Sequence, residues 1–181
     1  MSMAELETAV FGGGCFWCLE AVFDRLQGVA SVESGYMGGR VDHPTYREVC
    51  GGDTGHVEVV RVVFNPKEIS YPELLDVFFT IHDPTTPNRQ GNDVGAQYRS
   101  VIFYGSEQQR AQAEQAIATL NASHALPAPV VTAVEPAEKF FVAEDYHQEY
   151  YENNSSQPYC QFVISPKLKK LQHKFAEKIK N

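Results

Sequence analysis

Apolar and polar positions along this chain switch between a period of two and a period near 3.6, and the switches outline alternating strands and helices. Residues 8–11 predict a short strand, and Gly12, Gly13 and Gly14 predict the turn after it. A helix is expected from Cys15 to about Leu26, stopped by Gly28. Residues 29–37 predict a second strand that ends at Gly38 and Gly39. The clearest strand is "HVEVVRVVF", residues 56–64, dense in β-branched side chains and ended by Pro66. Ser70 and Glu73 form a capping box with Pro72 in the first turn. The stripe Leu74, Leu75, Phe78, Phe79 and His82 then carries a helix to about residue 82. "SVIFYG" predicts a strand, and Ser106 with Gln109 caps a polar helix to about residue 122. "VVTAV" and "YCQFVI" predict two more strands. In "SPKLKKLQHKFAEKIK", Leu168, Leu171, Phe175 and Ile179 recur at helical spacing, which predicts a surface helix with one buried stripe.

Through residue 104 the order is β-α-β-β-α-β, the split pattern of a ferredoxin-like layer of helices on a sheet. The expected fold is α/β (α+β): a two-layer sandwich on that core with a loop-rich C-terminal extension. With 181 residues and no internal repeat, one domain over 1–181 is expected, burying about 70% of its unfolded surface. Two stretches, 38–56 and 83–98, lack periodicity but hold many Gly, Tyr, Asp and His residues. Structureless segments that long are usually functional.

Composition narrows the function. A chain 43% hydrophobic and 12% aromatic is globular. Its net charge of −8 argues against a nucleic-acid or anionic-membrane surface. No apolar run approaches the roughly 18 residues of a membrane span. "MSMAELETAV" lacks the basic start and apolar stretch of a signal peptide, so a cytoplasmic location is expected. Four cysteines are too few for a disulfide scaffold, which points to redox, metal or catalytic use.

Two of those cysteines lie in "FGGGCFWCLE". A zinc site would need two further ligands, and no second C-x-x-C or H-x₃₋₅-H supplies them. A thioredoxin-like dithiol using Cys15 and Cys18 fits the βα context, although Phe16 and Trp17 make an apolar surface where an exchanger would want an open one. The third reading is a nucleophile, Cys15, at a helix start whose N–H groups favour a thiolate. Glu58 supports it. The period of two puts Glu58 on one face with Val60, Val62 and Phe64, and Arg61 on the other with Val57, Val59 and Val63. If the Glu58 face looks inward, desolvation keeps the carboxyl protonated near neutrality, as a general acid requires.

Together "GGCFWCLEAVF", "TYREVCGGDTGHVEVVRV" and "QGNDVGAQYRS", with "YHQEYYENN" and "PYCQFVISPKL", resemble the A class of peptide methionine sulfoxide reductases along nearly the whole chain. The resemblance implies Cys15 as catalytic thiolate and Glu58 as proton donor to the sulfoxide oxygen. Tyr46 and Tyr98 would hydrogen-bond that oxygen, Phe16 and Trp17 would line the S-methyl pocket, and Asp93 would orient the site or the substrate. A frequent form of the pattern has glycine where this chain has Cys18. Cys160 lies in the C-terminal region where members often keep a resolving cysteine, so Cys160 and Cys18 both remain candidates, and Cys50 is expected to be structural. The implied reaction forms a Cys15 sulfenic acid, then an intramolecular disulfide, which thioredoxin or another dithiol reduces. The implied substrates are methionine-S-sulfoxide, peptide-bound and free, and oxidised proteins. No bound metal, flavin or nicotinamide is expected, nor a nucleic-acid or membrane partner, and the chain is expected to be a monomer.

Overall fold

The computed structural model describes residues 6–180. In chain order these form β1 (Glu7–Gly12), α1 (Phe16–Phe23), β2 (Val29–Met37), α2 (Tyr46–Cys50), β3 (Val57–Phe64) and α3 (Tyr71–Ile81). A small hairpin, β4 (Arg89–Gln90) and β5 (Asp93–Val94), precedes β6 (Val101–Tyr104) and α4 (Glu107–Ser123). β7 (Ala133–Pro136), β8 (Phe141–Val142), α5 (Tyr150–Asn154) and α6 (Ser165–Lys174) complete the chain.

Six strands make one sheet in the order β7-β6-β1-β3-β2-β8. β1 pairs antiparallel with β3 and β6, and β3 with β2, while β7 runs parallel to β6. Each of α1 and α3 therefore joins two strands that have a third between them. The alternation in β3 explains both faces. Val60, Val62 and Phe64 pack with Phe11, Leu19, Phe23, Leu74 and Phe78 under the helices. Val57 and Val59 join Val10, Met37, Val101 and Phe103 in a second cluster. Each such side chain contributes about 1.5–3 kcal/mol by leaving water, and the stacked rings of Phe11, Phe23 and Phe78, 4.9–5.3 Å apart, mark the centre of the larger cluster.

Several expectations need correction. α1 ends at Phe23, not near Leu26, because Leu26 turns inward and bridges to Ile179 while Gln27 N–H donates to Lys178. The stretch 38–56 is not structureless: Thr45 and Glu48 form a capping box that starts α2. "YCQFVI" is not a strand but a π-helical turn, Cys160–Ile164, that buries Cys160 and Ile164 and turns Phe162 outward. Its inward residues are four apart, a helical spacing that a run of β-formers conceals. β7 starts at Ala133, later than "VVTAV" predicts, and β8 is an addition. The C-terminal extension carries short strands and helices between its loops. In the tail, Leu171 and Phe175 are buried and Leu168 and Ile179 partly so, as the stripe predicts.

Candidate active site

Sheet register brings the nucleophile turn to the acid. Phe11 of β1 pairs with Val60 of β3, so Gly12, which ends β1, and the two glycines after it arrive beside Glu58. All three are required by space: a Cβ on Gly12 would stand 2.8 Å from Val57 Cγ1. Gly14 has φ +87°, and a Cβ there would stand 2.7 Å from Gln90 Cγ; a Cβ on Gly13 would stand 2.9 Å from the His82 ring. The Gly14 N–H donates to the Tyr98 carbonyl at 3.1 Å, which fixes Tyr98 against the turn. Cys15 is the N-cap of α1, and the Phe16 N–H donates to Glu58 Oε1 at 3.1 Å. The carboxyl therefore occupies the start of the helix, next to the thiol.

Burial decides the charge of both groups. Glu58 is completely buried, and its carboxyl is pushed up to about 8. Desolvation is the main cause and the Asp93 charge adds to it, against the opposing hydrogen bonds of Phe16 N–H and the Cys15 thiol. Its Oε2 has no partner among the described residues. At neutral pH Glu58 holds a proton. The same burial raises the Cys15 thiol well above its ordinary value, helped by Glu58 and Cys18, with only the Trp17 backbone N–H pulling it down. Desolvation beside an acidic group thus opposes the pull of the helix N-terminus toward a thiolate.

Aromatic rings line the rest. Phe16 is buried, 5.6 Å from Tyr36, 6.3 Å from Tyr46 and 5.0 Å from His147 between ring centres. Trp17 stacks on Tyr150 at 3.7 Å and meets Tyr159 edge-on at 5.7 Å. Tyr46 opens α2, its N–H donating to Glu144 Oε2 at 2.9 Å, while Glu144 Oε1 accepts the Tyr36 hydroxyl at 2.9 Å. Burial keeps both the Tyr46 and Tyr98 phenols protonated, so both can donate. Asp93 Oδ2 accepts the Tyr159 hydroxyl at 2.7 Å, and that hydroxyl lies 3.6 Å from Cys18 Sγ.

The other thiols are arranged unequally. Cys18 sits one turn into α1, its N–H donating to Cys15 O at 3.1 Å, and is buried. Cys160 is fully buried in the π-helical turn, where its thiol feels Cys18. Cys50 is exposed, and its thiol lies beside the Tyr46 and Tyr98 hydroxyls. No three His, Cys, Asp or Glu side chains converge as metal ligands among the described residues.

The residues singled out from the sequence thus meet around Cys15, Glu58 and Trp17, with Cys50 beside Tyr46 and Tyr98 at one edge and Cys160 in the turn that faces Cys18. Sequence reasoning passed over Tyr36, Glu144, His147, Tyr150 and Tyr159. Tyr36 was findable, since it lies directly opposite Glu58 across the β2–β3 pair. The segment carrying the others lies about ninety or more residues along the chain from Glu58, and nothing local brings it there.

A cysteine at a helix start, a buried protonated carboxyl beside it and an aromatic wall define a thiol-dependent oxidoreductase on an α/β scaffold. Residues 7–179 match the sequence profile described as Peptide methionine sulfoxide reductase. The chain is 57% identical over 176 residues to the peptide methionine sulfoxide reductase MsrA of Chromobacterium violaceum, covering 97% of this chain and all of that one. It is 55% identical to the enzyme of that name from Sulfolobus acidocaldarius, over 96% of this chain and 97% of that one. The reduced form of Mxr1 from Saccharomyces cerevisiae superposes with a TM-score of 0.79 at 35% identity, covering 87% of this chain and 90% of that chain. Mxr1 has also been solved in complex with Trx2; that chain superposes with a TM-score of 0.55 at 25% identity, over 82% of this chain and 87% of that one. The chain belongs to the peptide methionine sulfoxide reductase family.

Proposed function

We propose that this chain reduces the S epimer of methionine sulfoxide, peptide-bound and free, with Cys15 as nucleophile and Glu58 as the acid on the sulfoxide oxygen. The carrying observation is Glu58: a fully buried carboxyl, protonated at neutral pH, bonded to the helix that holds Cys15. A dithiol exchanger could use such a carboxyl only to move a thiol proton, and has no use for the Tyr46 and Tyr98 hydroxyls and the aromatic wall gathered around it. As the Cys15 sulfur attacks, Glu58 gives its proton to the oxygen and takes up the thiol proton, while Tyr46 and Tyr98 donate to the same oxygen. The oxygen ends on Cys15 as sulfenic acid and methionine leaves with the two electrons. Phe16 and Trp17 seat the methyl group, and Asp93 positions the Tyr159 hydroxyl at the pocket edge.

Cys18 resolves first in this reading. It shares α1 with Cys15 and both thiols are buried together, whereas Cys160 must leave its buried turn to move. The Cys18 thiol condenses with the sulfenic acid, releasing water and forming the Cys15–Cys18 disulfide. The Cys160 thiol, which feels Cys18, then attacks the Cys18 sulfur, forming a Cys18–Cys160 disulfide and releasing Cys15 as a thiol, and a thioredoxin-type dithiol reduces that disulfide. The chain works as a cytoplasmic monomer. Peptide mapping after one turnover without reductant tests the order. A Cys15–Cys18 bridge in the Cys160→Ala variant, with methionine release unchanged, is expected; sulfenic acid persisting in that variant would make Cys160 the first resolver.

A further inference from the structure

The indole of Trp17 is held in two ways that differ in kind. Its face stacks on Tyr150, with ring centres 3.7 Å apart and planes 8° from parallel. Stacking fixes the plane of a ring but leaves it free to slide and rotate within that plane. Its edge is held by a directional bond, Nε1–H to His147 Nδ1 at 2.9 Å. An indole N–H can only donate, so His147 Nδ1 must present its lone pair and the ring proton must sit on Nε2. His147 is fully buried, with ring centres 4.4 Å from Tyr46, 4.1 Å from Tyr146 and 5.0 Å from Phe16. Its Nε2 has no partner among the described residues. A buried donor left unpaired is costly, so its retention calls for a compensating role.

The backbone around His147 is tied down from both sides. Gln148 bonds both the N–H and the carbonyl of Ser34 on β2, and the Glu149 N–H donates to Glu20 of α1. The imidazole is thus a fixed point, set by the sheet and by α1, against which the indole edge is registered.

We propose that His147 is a positioning residue that fixes the in-plane orientation of Trp17 and, through it, the size of the pocket for the sulfoxide's methyl group. The proposal rests on the reading of Trp17 as a wall of that pocket. His147 then touches neither sulfur nor oxygen; it decides which S-alkyl group fits.

The test uses His147→Leu, which removes the acceptor, His147→Asn, whose Oδ1 stands where Nδ1 stood, and Trp17→Phe, which removes the donor. His147→Leu should raise KM for the methyl sulfoxide about tenfold with kcat little changed, and should erase the preference for methyl over ethyl sulfoxide. His147→Asn should restore both to within about threefold. In the Trp17→Phe background, His147→Leu should add less than about twofold, because the two residues act as one unit. The chain has a single tryptophan, so its emission reports this indole alone and should shift in His147→Leu and return in His147→Asn. In the unmodified protein, the indole N–H should show NMR scalar coupling across the hydrogen bond to a histidine nitrogen. Absence of that coupling overturns the proposal without any variant having to fold. So does an equal loss from His147→Leu with or without Trp17. If Trp17→Phe itself keeps the methyl preference, the pocket reading fails, with the coupling still present. If Trp17→Phe loses the preference and His147→Leu keeps it, only the proposal fails.

Discussion

Glu58 is protonated at neutral pH because water cannot reach it, and everything at the reacting centre depends on that proton. The thiol gains little from tuning. Its burial lowers the thiolate fraction but leaves a more basic, more nucleophilic sulfur, and the two effects oppose each other. Rate must come from the oxygen side, where a positioned acid is worth roughly 10²–10⁴-fold. Glu58→Gln should therefore lose less than Glu58→Ala, because the amide can still donate to the oxygen and still accept from Phe16 N–H. Equal losses in single-turnover methionine release would contradict this role. The pH profile gives a second prediction. The acid form is the active one, so kcat/KM should fall as pH rises through about 8 and that limb should vanish in Glu58→Gln. A limb that survives the substitution would belong to another group. This much of the site was legible, since period two in "HVEVVRVVF" puts Glu58 with Val60, Val62 and Phe64. The raised Cys15 thiol was not, because its cause is a three-dimensional neighbour and total burial.

At the scale of elements, short pieces hold the reactive groups, and caps hold the short pieces. α2 has five residues, too few to be stable alone. It persists through the Thr45–Glu48 capping box and the Glu144 carboxylate, which accepts its first N–H. Burial works against that carboxylate, yet the hydrogen bonds from Tyr46, its own backbone and Tyr36 hold it below the ordinary value. α3 carries the same box in Ser70 and Glu73. Thr45→Ala and Ser70→Ala should each cost about 1 kcal/mol of stability. Only Thr45→Ala should also slow methionine release, because Tyr46 follows it directly. Urea unfolding and single-turnover assays on both variants separate the effects; an equal slowing would mean that α2 does not position Tyr46. Thr45-x-x-Glu48 is as plain in the sequence as Ser70-x-x-Glu73, and what hid α2 was the absence of an apolar stripe behind it. In "YCQFVI" the failure was of the opposite kind: β-forming residues at a helical spacing, decided by the burial of Cys160 and Ile164.

For the molecule as a whole, buried ionisable groups set the pH range of stability. Glu58 and Glu20 rise to about 8 and about 7, both through burial first. Each is protonated when folded and ionised when unfolded between its ordinary and its raised value, so each loses stability as pH rises through that window. His82 falls to about 4 through burial and acts in reverse, losing stability as pH drops below its ordinary value of 6.5. The opposing slopes overlap on the acid side of neutrality, and above pH 6.5 only the carboxyls act. Two carboxyls outweigh one imidazole, so melting temperature should already decline from about pH 5 and fall most steeply just above pH 6.5. At pH 8.5 Glu58→Gln should melt roughly 5–10 °C above the parent, matching a cost on the order of 3–4 kcal/mol for the ionised carboxyl. No gain in calorimetry would mean the carboxyl is already solvated. The layered architecture was readable from the strand and helix order through residue 104, because its core pattern is local and periodic. The placement of 144–160 over the site was not, because it rests on single long-range bonds such as Trp17 to His147 and Glu20 to Glu149. The most direct measurement mixes the reduced protein with each epimer of a methionine sulfoxide peptide, without reductant, and counts methionine released per enzyme. About one to two equivalents from the S epimer alone, lost in Cys15→Ser, is the predicted result for a nucleophile that becomes a sulfenic acid, is resolved, and is freed once by exchange. Release by Cys15→Ser, or none from either epimer by the parent, would contradict the account.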